Sequence, residues 1–188
     1  MLSYLKWTFW IVFWVLVLSI LHYTLPRWDV VRIADTYERR ETFGANSPFW
    51  SNARTGSGEG DVTRDIFFIQ ALTPEGRPMV YRNEDTGWGW PPFYKFDSSN
   101  LQARANDMRS TPEEPDWVAV KHYGWRSEFL TIYPNALRIK DVDGPDQGVI
   151  PWTSIVILVG LAALFWAVYA RWRRFWENRI DPLLDEEV

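Results

Sequence analysis

His122 is the one histidine between the two apolar runs, the other, His22, lying near the end of the first, and imidazole is the side chain that moves a proton near neutral pH. His122 falls in Asp116 to Tyr123, a run that alternates like a strand. A lone strand histidine is more often a hydrogen-bonded structural group than a catalyst. The chain contains two histidines and no cysteine. That composition removes disulfides, thiol nucleophiles and thiolate ligands together. A zinc site needs three or four ligands at recognisable spacing, and none is seen. Glu84 and Asp85 are adjacent acids beside aromatics, as on a sugar-cleaving surface. Glycoside cleavage needs two carboxyl groups flanking one bond, whereas neighbours on an extended chain point apart. Their expected role is structural, meeting Arg82 or Lys95. Asp141, Asp143 and Asp146 lack the twelve-residue pattern of a calcium loop and read as a turn. Gly56-Ser57-Gly58-Glu59-Gly60 has neither the lysine nor the strand–helix frame of a phosphate loop and reads as a mobile connection. No catalytic residue, metal ligand or cofactor is therefore expected.

The densest aromatic group outside the apolar runs is Trp88, Trp90, Phe93, Tyr94 and Phe96. Gly87, Gly89, Pro91 and Pro92 hold it in an irregular path. Aromatic side chains bring large contact area at low entropy cost, and irregular loops are where binding residues concentrate. These five form the candidate interaction surface. The competing roles are covering the sheet or resting at a membrane interface.

Two apolar runs must hold whatever these residues do. Trp152 to Ala170 is uncharged, and about twenty apolar residues cross a bilayer as a helix. Arg171, Arg173 and Arg174 follow at once and mark the cytoplasmic end. Trp7 to Leu25 is comparably long. Lys6 precedes it, as in a signal peptide, but no small-x-small cleavage site follows Leu18, so an uncleaved signal anchor is expected. Trp7, Trp10 and Trp14 recur at helical spacing in the first run. Ala163 and Ala167, with Gly160, make a small-residue stripe in the second. The organisation is thus 1–6 cytoplasmic, 7–25 first span, 26–150 periplasmic, 151–170 second span and 171–188 cytoplasmic tail. The expected location is a bacterial inner membrane with both termini inside.

The intervening segment, about 125 residues, is long enough for one small core. The net charge of −4 comes from mixed acids and bases and gives no basic surface for nucleic acid. Strands are expected at 30–37, 65–72, 79–82, 116–123, 129–133 and 136–142. Thr73-Pro74-Glu75-Gly76 forms a turn between the second and third. A helix is expected over 99–109, with Ser99 and Gln102 at capping-box spacing and Leu101, Ala105 and Met108 on one face. The fold class is a membrane protein whose two transmembrane helices flank a small α+β domain of about six mostly antiparallel strands and one helix.

The order of motifs resembles a known family. TLPRWDVVRI follows the first apolar run, then YRNEDTGWGWPPFYKFDSSNLQARA, VAVKHYGWRSEFLTIYPNALRI and a terminal RIDPLLD. The chain is similar over nearly its whole length to bacterial membrane proteins grouped as domain of unknown function 1523. The resemblance implies a two-span inner-membrane protein with a periplasmic domain, and it brings no activity or catalytic residues.

The expected function is a non-enzymatic accessory or assembly factor. Its partners would be the lipid bilayer and another membrane or envelope protein. A periplasmic small-ligand or glycan-binding sensor is the alternative, and an enzyme without a recognisable motif is a third.

Overall fold

The computed structural model describes residues 2–42 and 63–179. The glycine-rich segment 56–60 and the tail from 180 lie outside them. The element order is α1 (Leu2–Thr24), β1 (Arg27–Thr42), β2 (Thr63–Leu72), β3 (Pro78–Asn83), α2 (Ser98–Asp107), β4 (Trp117–Tyr123), β5 (Asn135–Asp141) and α3 (Trp152–Arg179). Residues up to Ile150 form one compact unit, and Pro151 onward forms a second.

The five strands close into a barrel in the order β1-β2-β3-β5-β4. β1 makes closure possible because its 16 residues pair at both ends. Arg27 to Arg32 run antiparallel to β4, and Arg32 to Thr42 run antiparallel to β2. A register shift between Ile33 and Asp35 bends the strand where it changes partner, which is what an extra residue in one strand does. β3 and β5 meet in parallel at Arg82 and Asn135 and complete the circle. A five-stranded barrel in this order, with its helix between the third and fourth strands, has the architecture of the OB-type barrels.

Val31, Ile33, Ile69, Ala71, Tyr81, Val118, Val120, Ala136 and Ile139 fill the interior. α2 closes one end, where Ala105 is fully buried and Leu101 and Met108 lie on the same core. Small Ala105 lets the helix approach closely. A second cluster covers part of the outer face. Phe68 stacks on Tyr37 with ring centroids 5.1 Å apart, and Tyr133 meets Phe68 edge-on. The turn at 73–76 forms as expected, with Gly76 N–H donating to Thr73 O at 2.8 Å and Gly76 at φ +76°.

Two expectations are corrected. Among the described residues the strand count is five, because 129–133 is not a strand. Ser127 and Ile132 form an isolated bridge across a tight loop. Ile132 turns inward, while Phe129 and Leu130 point outward. The second correction is the capping box. The residue before α2 is Asp97, which makes no side-chain cap bond. Gln102 instead accepts from Asn83 and donates to Phe68 O, so it cannot reach back to the helix start. Asp85 does the capping, accepting from Ser98 N–H at 2.8 Å.

α1 and α3 are each long and apolar enough to cross a membrane. α1 has 23 residues and α3 has 28. α3 continues as one helix past Ala170 through Arg171, Arg173 and Arg174, and Arg173 pairs with Glu177 one turn on at 2.7 Å.

Truncating a core side chain at the centre of the barrel should be costly. Ile69→Ala removes a fully buried side chain and should destabilise by about 2–5 kcal/mol. Chemical denaturation of the solubilised chain, followed by circular dichroism, measures it.

Candidate functional site

The aromatic loop grows from a polar, buried root at the end of β3. Arg82 pairs with Glu84 at 3.1 Å, and both side chains are almost fully buried. Asn135, at the start of β5, extends the ladder beyond β3. Its Oδ1 accepts from Glu84 N–H at 2.9 Å and its Nδ2 donates to Glu84 O at 3.1 Å. The same Nδ2 reaches the Tyr123 hydroxyl at 3.3 Å. The side-chain amide thus replaces a missing strand partner, which satisfies backbone groups that burial would otherwise orphan.

Lys95 closes the loop. Its backbone N–H donates to Thr86 Oγ1 at 3.1 Å, and its carbonyl accepts from Gly87 N–H at 3.0 Å. Its Nζ donates to Asn83 Oδ1, and to Ala136 O at 2.7 Å. Burial pushes the Lys95 amine down from 10.5 to about 7, against the pull of Asp85 and Glu84. A neutral amine has two hydrogens to donate, which matches its two acceptors. Glu84 meets Arg82 as the sequence suggests, whereas Asp85 goes to the α2 amino terminus.

Above this root, Trp88, Trp90, Tyr94 and Phe96 are exposed. None of these four is buried against the sheet, where Tyr37 and Tyr133 pack on Phe68 instead. Trp88 meets Tyr94 and Phe96 edge-on, with ring centroids at 5.3 and 5.8 Å. Phe93 differs, turning inward until its ring lies 5.0 Å from that of Tyr123. Tyr94 sits at φ 50°, a left-handed conformation that is uncommon for residues other than glycine. The four outer rings are displayed by a bonded scaffold and do not hang from a slack loop.

The same region receives the end of α1. Gly124 N–H donates to Tyr23 O at 2.9 Å, and Trp125 Nε1 lies 2.8 Å from His22 Nδ1. Arg27 donates to Gly124 O at 3.0 Å and lies 3.3 Å from His22 Nε2. Gly124 adopts φ +96°, and an added Cβ would lie 3.5 Å from Pro134 Cα. The Tyr23 ring contacts those of Tyr123 and Trp125 edge-on, and Tyr23 also hydrogen-bonds Arg82. The rings of Trp125, Tyr23, Tyr123 and Phe93 thus form a row from α1 to the aromatic loop.

His122 lies inside the barrel, with Nε2 2.9 Å from Asp29 Oδ2. The Tyr81 hydroxyl donates to the same oxygen at 2.8 Å. Burial works to raise the Asp29 carboxyl, but the bonds from His122 and Tyr81, with nearby positive charge, hold it below its ordinary range. Burial and the Asp29 charge push Tyr81 well up, so it remains a donor. Asp29 opens onto a groove of about 560 Å³ lined by Trp28, Thr73, Glu75, Arg77 and Met79.

The remaining sequence candidates fall apart spatially. Asp141 pairs with Arg104 at 3.2 Å, and Asp143 N–H bonds to Gln147. Among the described residues, no three of His, Asp or Glu gather closely enough to hold a metal ion. Trp7, Trp10 and Trp14 line one face of α1 with Ile11 and Leu18. No added Cβ at Gly160 would meet a neighbour. Sequence reasoning missed Asn135, Tyr123, Asp29 and the His22–Trp125 pair. Their only signal was polar or aromatic residues at strand ends, where alternation no longer decides which face they take.

Lys95 sets a pH dependence. The unfolded chain keeps this proton up to about 10.5, and the folded chain releases it near 7. Across that window the unfolded state binds more protons, so stability rises with pH. Thermal melting between pH 7 and 10 should show the rise, and Lys95→Met should flatten it whatever its effect at any single pH. Removing Glu84 should also be severe, since Glu84→Ala leaves the Arg82 charge buried without its carboxylate. A loss of about 3–5 kcal/mol is expected, read as a lowered denaturation midpoint.

Comparison with known proteins places the chain. Residues 2–176 match the family model DUF1523, described as a protein of unknown function. An uncharacterized protein of Haemophilus influenzae is 35% identical over 153 residues, covering 80% of this chain and 82% of that protein. No solved structure matches. The chain belongs to the DUF1523 family.

Proposed function

We propose that this chain is a non-enzymatic accessory or assembly factor of a bacterial inner membrane. Two helices anchor it with both termini inside, and the barrel in 26–150 contacts another membrane or envelope component from the periplasm. The carrying observation is the aromatic loop. Four large rings are exposed, yet their root is bonded through Lys95, Thr86, Glu84 and Asn135. Rigid exposed aromatics bind with little ordering cost. The anchor reading draws support from two apolar helices, from the basic residues at the end of α3, and from the last turn of α1. That turn is bonded to the barrel through Tyr23 and His22, contacts that a cleaved signal peptide would forfeit.

A photo-reactive amino acid placed at position 88 in native membranes should form adducts, while the same group at position 75, on the β2–β3 turn, should not. Equal labelling at both positions, or none at position 88, would sink the reading.

The Asp29 groove favours a second reading, a periplasmic binding module for a small ligand or glycan. OB-type barrels bind oligosaccharides among other ligands, though shared architecture is only an analogy. Here Trp28, Asp29, Thr73 and Arg77 supply an aromatic edge and polar groups at one opening. Saccharide fragments should raise the melting temperature of the full chain, and Asp29→Asn should abolish the shift. If no fragment shifts the wild type, this reading fails.

A further inference from the structure

We propose that the component contacted by the aromatic loop is the bilayer itself: Trp88, Trp90, Tyr94 and Phe96 rest in the headgroup region beside the outer end of α1. This rests on the membrane-anchored reading and names the phase that the surface meets.

α1 is 23 residues long, about 35 Å at helical rise, against a hydrocarbon core of about 30 Å. With Lys6 at the inner side, the span from Trp7 uses up the core, and the last turn of the helix lies at the outer boundary with the headgroup layer. Only Leu25 and Pro26 separate it from β1. The barrel has no linker on which to move away, and the Tyr23–Gly124 and His22–Trp125 bonds hold it at the helix end. From Tyr23, one ring contact leads to Tyr123 and a second to Phe93, the inward member of the loop. These packed rings, with Tyr123 buried among them, fix the loop beside the helix end, whose own apolar surface lipid must cover.

The chemistry of the exposed rings matches that layer. Tryptophan and tyrosine concentrate at bilayer interfaces because an apolar ring carries a polar tip. Trp88 and Trp90 are 84% and 70% exposed, a costly display in water for indoles held in place. A protein partner could also cover them, but the ring row ties this surface to α1 and hence to its lipid.

The absence of cysteine from the chain allows single nitroxide labels without background. Full-length Trp88→Cys, Leu16→Cys and Glu75→Cys variants, labelled in nanodiscs containing phosphatidylethanolamine and phosphatidylglycerol, are compared by relaxation with oxygen and with a water-soluble nickel chelate. All three positions are exposed on the folded chain, so labelling spares the core. Position 16 should favour oxygen strongly, position 75 should favour nickel, and position 88 should lie between them. If 16 is lipid-buried while 88 is as aqueous as 75, the interfacial seating is overturned. The anchored reading then survives, with the surface left for an envelope protein. If 16 is itself aqueous, the anchored reading fails and the seating fails with it.

Discussion

Everything in the barrel depends on one strand changing partners. β1 gives its first residues to β4 and its last to β2, and a single irregularity near Ala34 supplies the bend. Without it the sheet would stay open, with two unpaired edges exposing backbone donors and acceptors. Closure also brings the start of β1 beside the end of β4, the place where α1 arrives. Barrel closure and helix docking are therefore one geometric event. His22, Tyr23, Gly124 and Trp125 meet there because β1 is curved.

A small barrel leaves little room for polar groups, yet this one buries Arg82, Asn83, Glu84, Lys95, His122 and Asn135. Nearly all of them gather where β3 and β5 touch. That is the weakest seam, held by one parallel pairing. Side chains do there what a ladder does elsewhere. Asn135 takes the place of a strand neighbour for Glu84, and Lys95 bridges Asn83 to Ala136. Such bonds cost desolvation, but they are directional and admit one arrangement. The loop above inherits that definition, and this explains why exposed rings can keep fixed positions.

The sequence made some of this legible and some not. Apolar alternation marked four of the five strands to within a few residues. It also marked the α2 face, since Leu101, Ala105 and Met108 pack as their spacing requires. The stretch 129–133 misled because Phe129, Leu130 and Ile132 look strand-like, although only Ile132 enters the core. Short apolar runs carry no information about whether a partner strand exists. The capping error has the same origin. Ser99 and Gln102 have the right spacing, but Asp85 approaches from outside the helix and Gln102 is drawn to Asn83 and Phe68. Neither contact is local in sequence. Barrel closure was invisible for the same reason, since it depends on a bend within β1 and on β3 meeting β5. The aromatic cluster was legible as a group, but its division into one inward and four outward rings required the position of Tyr123.

The two-residue connection between α1 and β1 has a mechanical consequence. A flexible tether would let a domain tumble independently of its helix. Here hydrogen bonds on Gly124 and Trp125 clamp the helix end, so torque passes directly from one to the other. Any rotation of α1 about its long axis must sweep the whole barrel, and with it the four exposed rings of the loop, through the same arc. The first helix is thus the spindle of the barrel.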